Sequence, residues 1–184
     1  CFGASSGFER PMWFSRNGEK AEYEYSYNYQ NWFPAAEYET KNTRENVGLF
    51  ELTPFSKYEL KGETAHDELQ RICTANIKNE IGKCTYTQML NKDGGIETDL
   101  TVVKIAENSF RIITAAANKE RDKFHIQKHL SEDIKLLDVT DDYCVLGVFG
   151  PKSIDLMKDL SDDDYSNENF KFGTAKYVTI NQDQ

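Results

Sequence analysis

Residues 84–105 read CTYTQMLNKDGGIETDLTVVKI. Cys84 to Leu90 alternates, with Cys84, Tyr86 and Gln88 on one face, and Ile96 to Ile105 is a second strand-like run. Between them NKDGG is a turn signal, so the two runs predict a β-hairpin. In the second run Ile96, Leu100 and Val102 share a face that can pack into a core. Asp99 falls on the opposite face, flanked by Glu97, Thr101 and Val103. A carboxylate there, beside an apolar wall, could stabilise a cation or accept a proton. The pattern alone reads first as an aspartate solvated on the outer face of a sheet. Gly94 and Gly95 release the turn from steric limits and would let a backbone or ligand approach closely.

Outward from this hairpin, helices and strands are mixed. SKYELKG before it alternates as a strand, and ETAHDELQRIC reads as a helix with Ala65, Leu69, Ile72 and Cys73 on one face. After it come a strand in SFRIITAA, a helix in NKERDKFHIQKHL with Asn118 as its N-cap, and strands in IKLLDVT and YCVLGVFG. PKSIDLMKDL is a helix with Pro151 at its first turn, SDDDYSNENF an acidic loop, and KYVTI a last strand. Near the start, Pro11 argues against a regular central strand. AEYEYSYNYQNWF predicts a strand with Tyr23, Tyr25, Tyr27 and Tyr29 on one face, and Pro34 opens a helix through AAEYETKNTRENV. The order predicts an α+β fold, a mixed or antiparallel sheet with packed helices. Residues 1–184 read as a single domain piece, with an arm and helix over 1–50 and an α+β body over 51–184.

The 184 residues carry 22 Lys+Arg against 31 Asp+Glu, a net charge of −9, which disfavours nucleic acid as a partner. No apolar run approaches the ~20 residues that span a bilayer, and the start lacks the pattern of a signal peptide. No GxGxxG or Walker loop appears, so these devices for holding a dinucleotide or nucleotide are not used. Cys1, Cys73, Cys84 and Cys144 never form CxxC, and the last three sit in apolar patterns that predict buried free thiols. His125 and His129 have the i,i+4 spacing of a metal pair without an evident acidic third ligand, so a solvated helix face and no metal site are expected. DDDYSNENF lacks the central glycine and final glutamate of a calcium loop and reads as a solvated acidic loop.

Several separated motifs, in order, carry a resemblance: GFERPMWF, RENVGLFELTPFSKYELKG, YTQMLNKDGGIETDLTVVK, AAANKERD, DVTDDYCVLGVFGPKSIDLM and LSDDDYSNENFKF. Together they resemble the glycine-cleavage T-protein (aminomethyltransferase) family. They look still more like the homologous folate-binding region of dimethylglycine and sarcosine dehydrogenases, notably at LTPFSKYELKG and FGPKSIDL. The resemblance implies the first part of the aminomethyltransferase-type folate-binding fold. It implies tetrahydrofolate as cofactor and acceptor of a one-carbon unit from an oxidised N-methyl amine. FAD is expected only in a separate domain, a flavin-dependent oxidoreductase domain of the same parent chain. It places Asp99 where the family has an aspartate beside the reactive folate nitrogens, Tyr86 where a tyrosine lines the folate cavity, and Phe55 where an apolar residue meets the pterin.

Two departures stand out. The family often has two consecutive aspartates where this chain has Thr98 and Asp99. Its NAAN run appears as Ala115 to Asn118, without the first polar residue. The family's TGE-like glutamate and a basic residue for the folate tail would follow VTINQDQ, so this chain by itself is expected to hold one wall of the site and to bind folate weakly. The resemblance implies no membrane partner, and a cytoplasmic location in a bacterium or the mitochondrial matrix in a eukaryote. Two alternatives share the pattern: a non-catalytic regulatory relative like the pyruvate dehydrogenase phosphatase regulatory subunit, and a glycine-cleavage aminomethyltransferase.

Overall fold

The computed structural model describes residues 1–5, 7–16 and 18–180. They fall into two compact units, the first comprising Cys1–Phe50 and Val148–Leu156 and the second most of the rest.

The first unit begins with a short antiparallel hairpin of β1 (Phe2–Ser5) and β2 (Phe8–Pro11), in register from Phe2–Pro11 to Ser5–Phe8. Pro11 ends an edge strand of a two-stranded sheet, where a missing N–H costs little. Pro34 stands in the first turn of α1 (Phe33–Glu45), as its fixed φ favours. The tyrosine run between them is not a strand. Local side chains take up its backbone instead: Asn31 accepts from the Glu24 amide and donates to the Glu22 carbonyl, and Ser26 Oγ accepts from the Asn28 amide. Such short polar side chains compete with a ladder and fold the chain into turns. Tyr25, Tyr27 and Tyr29 are exposed, and Tyr23 stacks on Tyr25 with ring centroids 5.6 Å apart. β3 (Gly48–Glu51) pairs with β9 (Leu146–Phe149) as a second two-stranded sheet.

The second unit holds the main sheet. Its strands lie in the order β5 (Cys84–Leu90), β6 (Ile96–Ala106), β7 (Ser109–Thr114), β4 (Ser56–Lys61) and β8 (Lys135–Asp138), and every pairing is antiparallel. Period-2 alternation gives the sheet one apolar face: Tyr58, Leu60, Met89, Leu100, Val102, Phe110 and Ile112 are buried there. Against it pack α2 (Ala65–Ile72), through Ala65 and Leu69, and α3 (Lys119–Gln127), through Ile126. α4 (Ser153–Leu160) follows β9. The fold is therefore α+β with antiparallel sheets.

Three local expectations give way to longer-range forces. KYVTI does not form a strand. The chain hydrogen-bonds beside the β5 end at residues 173–175, where the Cys84 amide donates to the Gly173 carbonyl (2.9 Å), and the Thr179 amide then turns to the Asp163 carboxylate (3.0 Å). Asn118 does not cap α3 with its side chain. Residues 116–118 already turn as a 3-10 helix, so its backbone (φ −114°, ψ 17°) lacks the extended conformation that aims a capping side chain at the first turn. Finally, Cys144 is exposed, whereas Cys73 is buried and its thiol is pushed up to about 12 by burial.

Candidate functional site

Asp99 projects from the face of the sheet opposite the helices. Its neighbours Thr98 and Leu100 are buried on the helical side, while Asp99 itself is exposed. Gln88 is its direct cross-strand partner, and Tyr86 lies two residues along β5. That diagonal is within reach of a long aromatic side chain. The Tyr86 hydroxyl donates to Asp99 Oδ2 at 3.1 Å. The structure thus brings two of the three sequence-named residues together. Phe55 precedes β4, and the pairings Ser56–Thr114 and Thr114–Leu100 put its position at the same end of the sheet. It is 40% exposed and makes no ring contact among the described residues.

The turn before Asp99 serves itself rather than a ligand. Gly94 has φ +82°, which a left-handed position requires, and a side chain on Gly95 would collide with Asn91. Asn91 Oδ1 accepts the Asp93 and Gly95 amides at 3.0 and 2.9 Å.

Ile96 does not join Leu100 and Val102 in the core; it is 68% exposed. The ladder pairs Met89 with Thr98 but Leu90 with Ile96, which leaves Glu97 as an extra residue in β6. This β-bulge breaks the alternation and turns Ile96 outward. Two consecutive residues of α3 meet the bulge. Arg121 donates to the Glu97 carbonyl, and Thr98 Oγ1 donates to Asp122 Oδ2 at 3.0 Å. Asp122 is 1% exposed. It lies in the first turn of α3, with the Arg121 guanidinium 3.6 Å away.

Along the same outer face runs a cavity of about 490 Å³, lined by Val103, Ile113 and Arg111 of the sheet and by Ile81, Ala175 and Tyr177 among others. Arg111 is held by Glu59 at 2.5 Å and stacks on Tyr143, whose hydroxyl lies 2.8 Å from it. Its Nε is buried without a hydrogen-bond partner among the described residues. Glu59 is held below the usual carboxylate range by the hydrogen bond to Lys61, with Arg111 acting the same way.

On the helical side a cavity of about 240 Å³ reaches Arg71, Cys73, His125 and His129. His125 is buried there rather than solvated, because α3 lays this face on the sheet. No cluster of three or more His, Cys, Asp or Glu side chains among the described residues is placed to hold a metal ion. Burial, and then the neighbouring His129, depress the His125 pKa; Lys128 acts with them, and Glu97 and Asp122 oppose. The unfolded chain therefore takes up this proton first. The associated stability is fully present above the unfolded value of about 6.5 and drains as pH falls from there through the lower folded value. Urea midpoints measured between neutral pH and ~5 are expected to decline, and His125→Gln to flatten that part of the profile. An unchanged profile in the variant would assign the decline to carboxylates.

The whole chain, residues 1–184, matches the family model described as the GCVT N-terminal domain. The chain belongs to that family. It is 34% identical over 181 residues to 4-methylaminobutanoate oxidase (formaldehyde-forming) of Paenarthrobacter nicotinovorans, covering 98% of this chain and 22% of that protein. It is 30% identical over 181 residues to mitochondrial dimethylglycine dehydrogenase of Rattus norvegicus, covering 97% and 21%. The chain thus spans about a fifth of the length of these relatives. Its fold is like that of glycine cleavage system aminomethyltransferase T from Bartonella henselae, with a TM-score of 0.65 and 21% identity over 86% of this chain and 39% of that one. Among the described residues, no helix is long and apolar enough to cross a membrane.

Within this GCVT domain, sequence reasoning missed Arg121 and Asp122 as neighbours of the Asp99 strand. The one available signal is the acidic residue in the first turn of α3, which normally reads as a dipole partner only.

Proposed function

We propose that this chain is the tetrahydrofolate-binding segment of a larger flavin-dependent N-methyl amine dehydrogenase. In it, the one-carbon unit of the oxidised amine passes to folate to give 5,10-methylenetetrahydrofolate. The observation that carries the reading is the Asp99 carboxylate on the outer sheet face with the Tyr86 phenol donating to it. Membership of the GCVT family supports it, as do relatives named for oxidation of methylated amines.

The residues fit such a ligand in kind. An exposed carboxylate–phenol pair stands on the same face as a mainly apolar cavity of about 490 Å³ with Arg111 at its wall. Apolar walls with a few placed polar groups are what a planar, partly charged cofactor needs. When bound, tetrahydrofolate supplies the nitrogens that accept the carbon. Asp99 stabilises positive charge that develops beside it during transfer. Tyr86 holds the Oδ2 edge of the carboxylate, so its orientation is set before the ligand arrives. Phe55, near the same end of the sheet, offers an apolar ring to the pterin. Flavin chemistry belongs to a separate domain in this reading.

Calorimetric titration of the full-length protein with tetrahydrofolate tests the reading. Saturable binding of one equivalent that weakens in Tyr86→Phe is expected. Because the phenol makes one hydrogen bond to a carboxylate, a loss of roughly ten-fold in affinity is the right scale. Absence of saturable heat at millimolar ligand would refute a folate site.

A further inference from the structure

We propose that Arg121 and Asp122 of α3 are positioning residues for Asp99, acting through the β-bulge at Glu97. The inference rests on the folate reading above and extends it to residues that touch no ligand.

The bulge is the critical feature. An ordinary antiparallel ladder would continue the pairing of Met89 with Thr98 as Leu90 with Glu97. Instead Leu90 pairs with Ile96, and Glu97 stands unpaired in the strand. A bulge of this kind leaves a carbonyl and an amide out of the ladder and can relax by slipping one residue. A slip would carry Thr98, Asp99 and Leu100 to opposite faces, because the side-chain period is two. Asp99 would then point at the helices and Leu100 at the outer face. Something must therefore hold the extra residue.

Two adjacent side chains of α3 anchor it, one at Glu97 and one at Thr98. Arg121 donates to the Glu97 carbonyl. Asp122 accepts the Thr98 hydroxyl at 3.0 Å from a position 1% exposed. Thr98 is itself 5% exposed. A hydrogen bond between two such buried partners is costly to leave unmade, so it selects one register. Arg121 also lies 3.6 Å from Asp122 Oδ1, tying the two anchors together. One residue further along, Asp99 presents Oδ2 to the Tyr86 phenol, while its Oδ1 takes no hydrogen bond from the described residues. The clamp thus fixes which face Asp99 occupies, and the phenol fixes how its carboxylate is turned.

The arrangement also gives Thr98 a role. A second aspartate at this position would lie against the buried Asp122 carboxylate. Threonine keeps the strand propensity and donates a hydrogen bond to that carboxylate instead.

The test uses Thr98→Val, Thr98→Ser and Arg121→Ala in the full-length protein, each with and without Asp99→Asn. Thr98→Val and Arg121→Ala are expected to slow transfer to tetrahydrofolate by about ten-fold, mainly in kcat, with amine oxidation unchanged. Thr98→Ser restores the rate. In the Asp99→Asn background both changes have little further effect, because they act through that carboxylate. A crystal structure of Arg121→Ala, whose exposed side chain can be lost without unfolding, should show the Tyr86–Asp99 hydrogen bond lengthened or broken. Equal slowing in both backgrounds, tracking the melting temperature, would make the clamp merely structural and overturn the proposal. So would normal rates in Thr98→Val and Arg121→Ala when Asp99→Asn is slow. If Asp99→Asn itself transfers normally, the folate reading fails; the clamp is then judged by the crystal structure, and an intact Tyr86–Asp99 bond in Arg121→Ala overturns it.

Discussion

Asp99→Asn in the full-length protein should slow one-carbon transfer to tetrahydrofolate by on the order of 100-fold, the scale of losing one electrostatic stabiliser of a developing charge. The amide keeps the shape of the carboxylate and loses its charge, so the change isolates electrostatics. Folding should be almost unaffected, since Asp99 is exposed and packs against nothing in the core. Amine oxidation, which the proposed function places in a separate flavin domain, should change much less. The two steps then fall out of balance, and the carbon that is not captured leaves as formaldehyde. Measuring methylenetetrahydrofolate against formaldehyde during turnover reads this directly. A product ratio equal to that of the unmodified protein would reduce Asp99 to a solvated strand residue and leave the Tyr86 hydrogen bond as surface structure.

Phe110→Ala should have the largest effect on stability. Phe110 is 0% exposed at the centre of the main sheet, with the Lys104 ammonium 4.8 Å from its ring centroid and the His66 ring 6.2 Å away. It packs with Leu60, Ile112 and Leu69 in one core cluster. Removing the ring leaves a cavity that strands joined in a ladder cannot close, which costs about 3–5 kcal/mol. For a chain of this size that corresponds to a fall in melting temperature of roughly 6–20 °C. Lys104, a residue 6% exposed, would also lose its aromatic neighbour. A melting temperature lowered by only a degree or two would mean that α2 collapses into the space or that the sheet is less tightly packed than its burial indicates.

Much of the fold was legible in residues 56–160 because the signals there are periodic and agree with one another. Tyr58 and Leu60, Leu100 and Val102, and Phe110 and Ile112 alternate with polar residues, and all six are buried on one face. Ala65, Leu69 and Cys73 follow the helical period and meet that face. The tyrosine run alternates just as clearly and forms no strand. Alternation states which residues would share a face if a partner strand were present. It cannot supply the partner, and the serine and asparagine side chains of the run satisfy its backbone first.

The candidate site divides in the same way. Asp99 and Tyr86 are both named from sequence, and the hairpin that joins their strands follows from two alternating runs around NKDGG; the register that puts the Tyr86 hydroxyl 3.1 Å from Asp99 depends on the bulge. The outward turn of Ile96 was not legible, because it needs an extra residue in one strand of a pair, and an extra residue shows only against its partner. Nor could local pattern reveal that His125 is buried or that Cys144 is exposed. Each depends on which elements pack over it.

The sequence by itself determined the family, the α+β class and the antiparallel hairpin, since these rest on motifs and on periods of two and 3.6 residues. Only the tertiary structure decided the bulge at Glu97 and its anchors. Arg121 and Asp122 reach Glu97 and Thr98 across 24 residues of sequence. A buried carboxylate finds its donor through packing, and no spacing along the chain encodes that meeting.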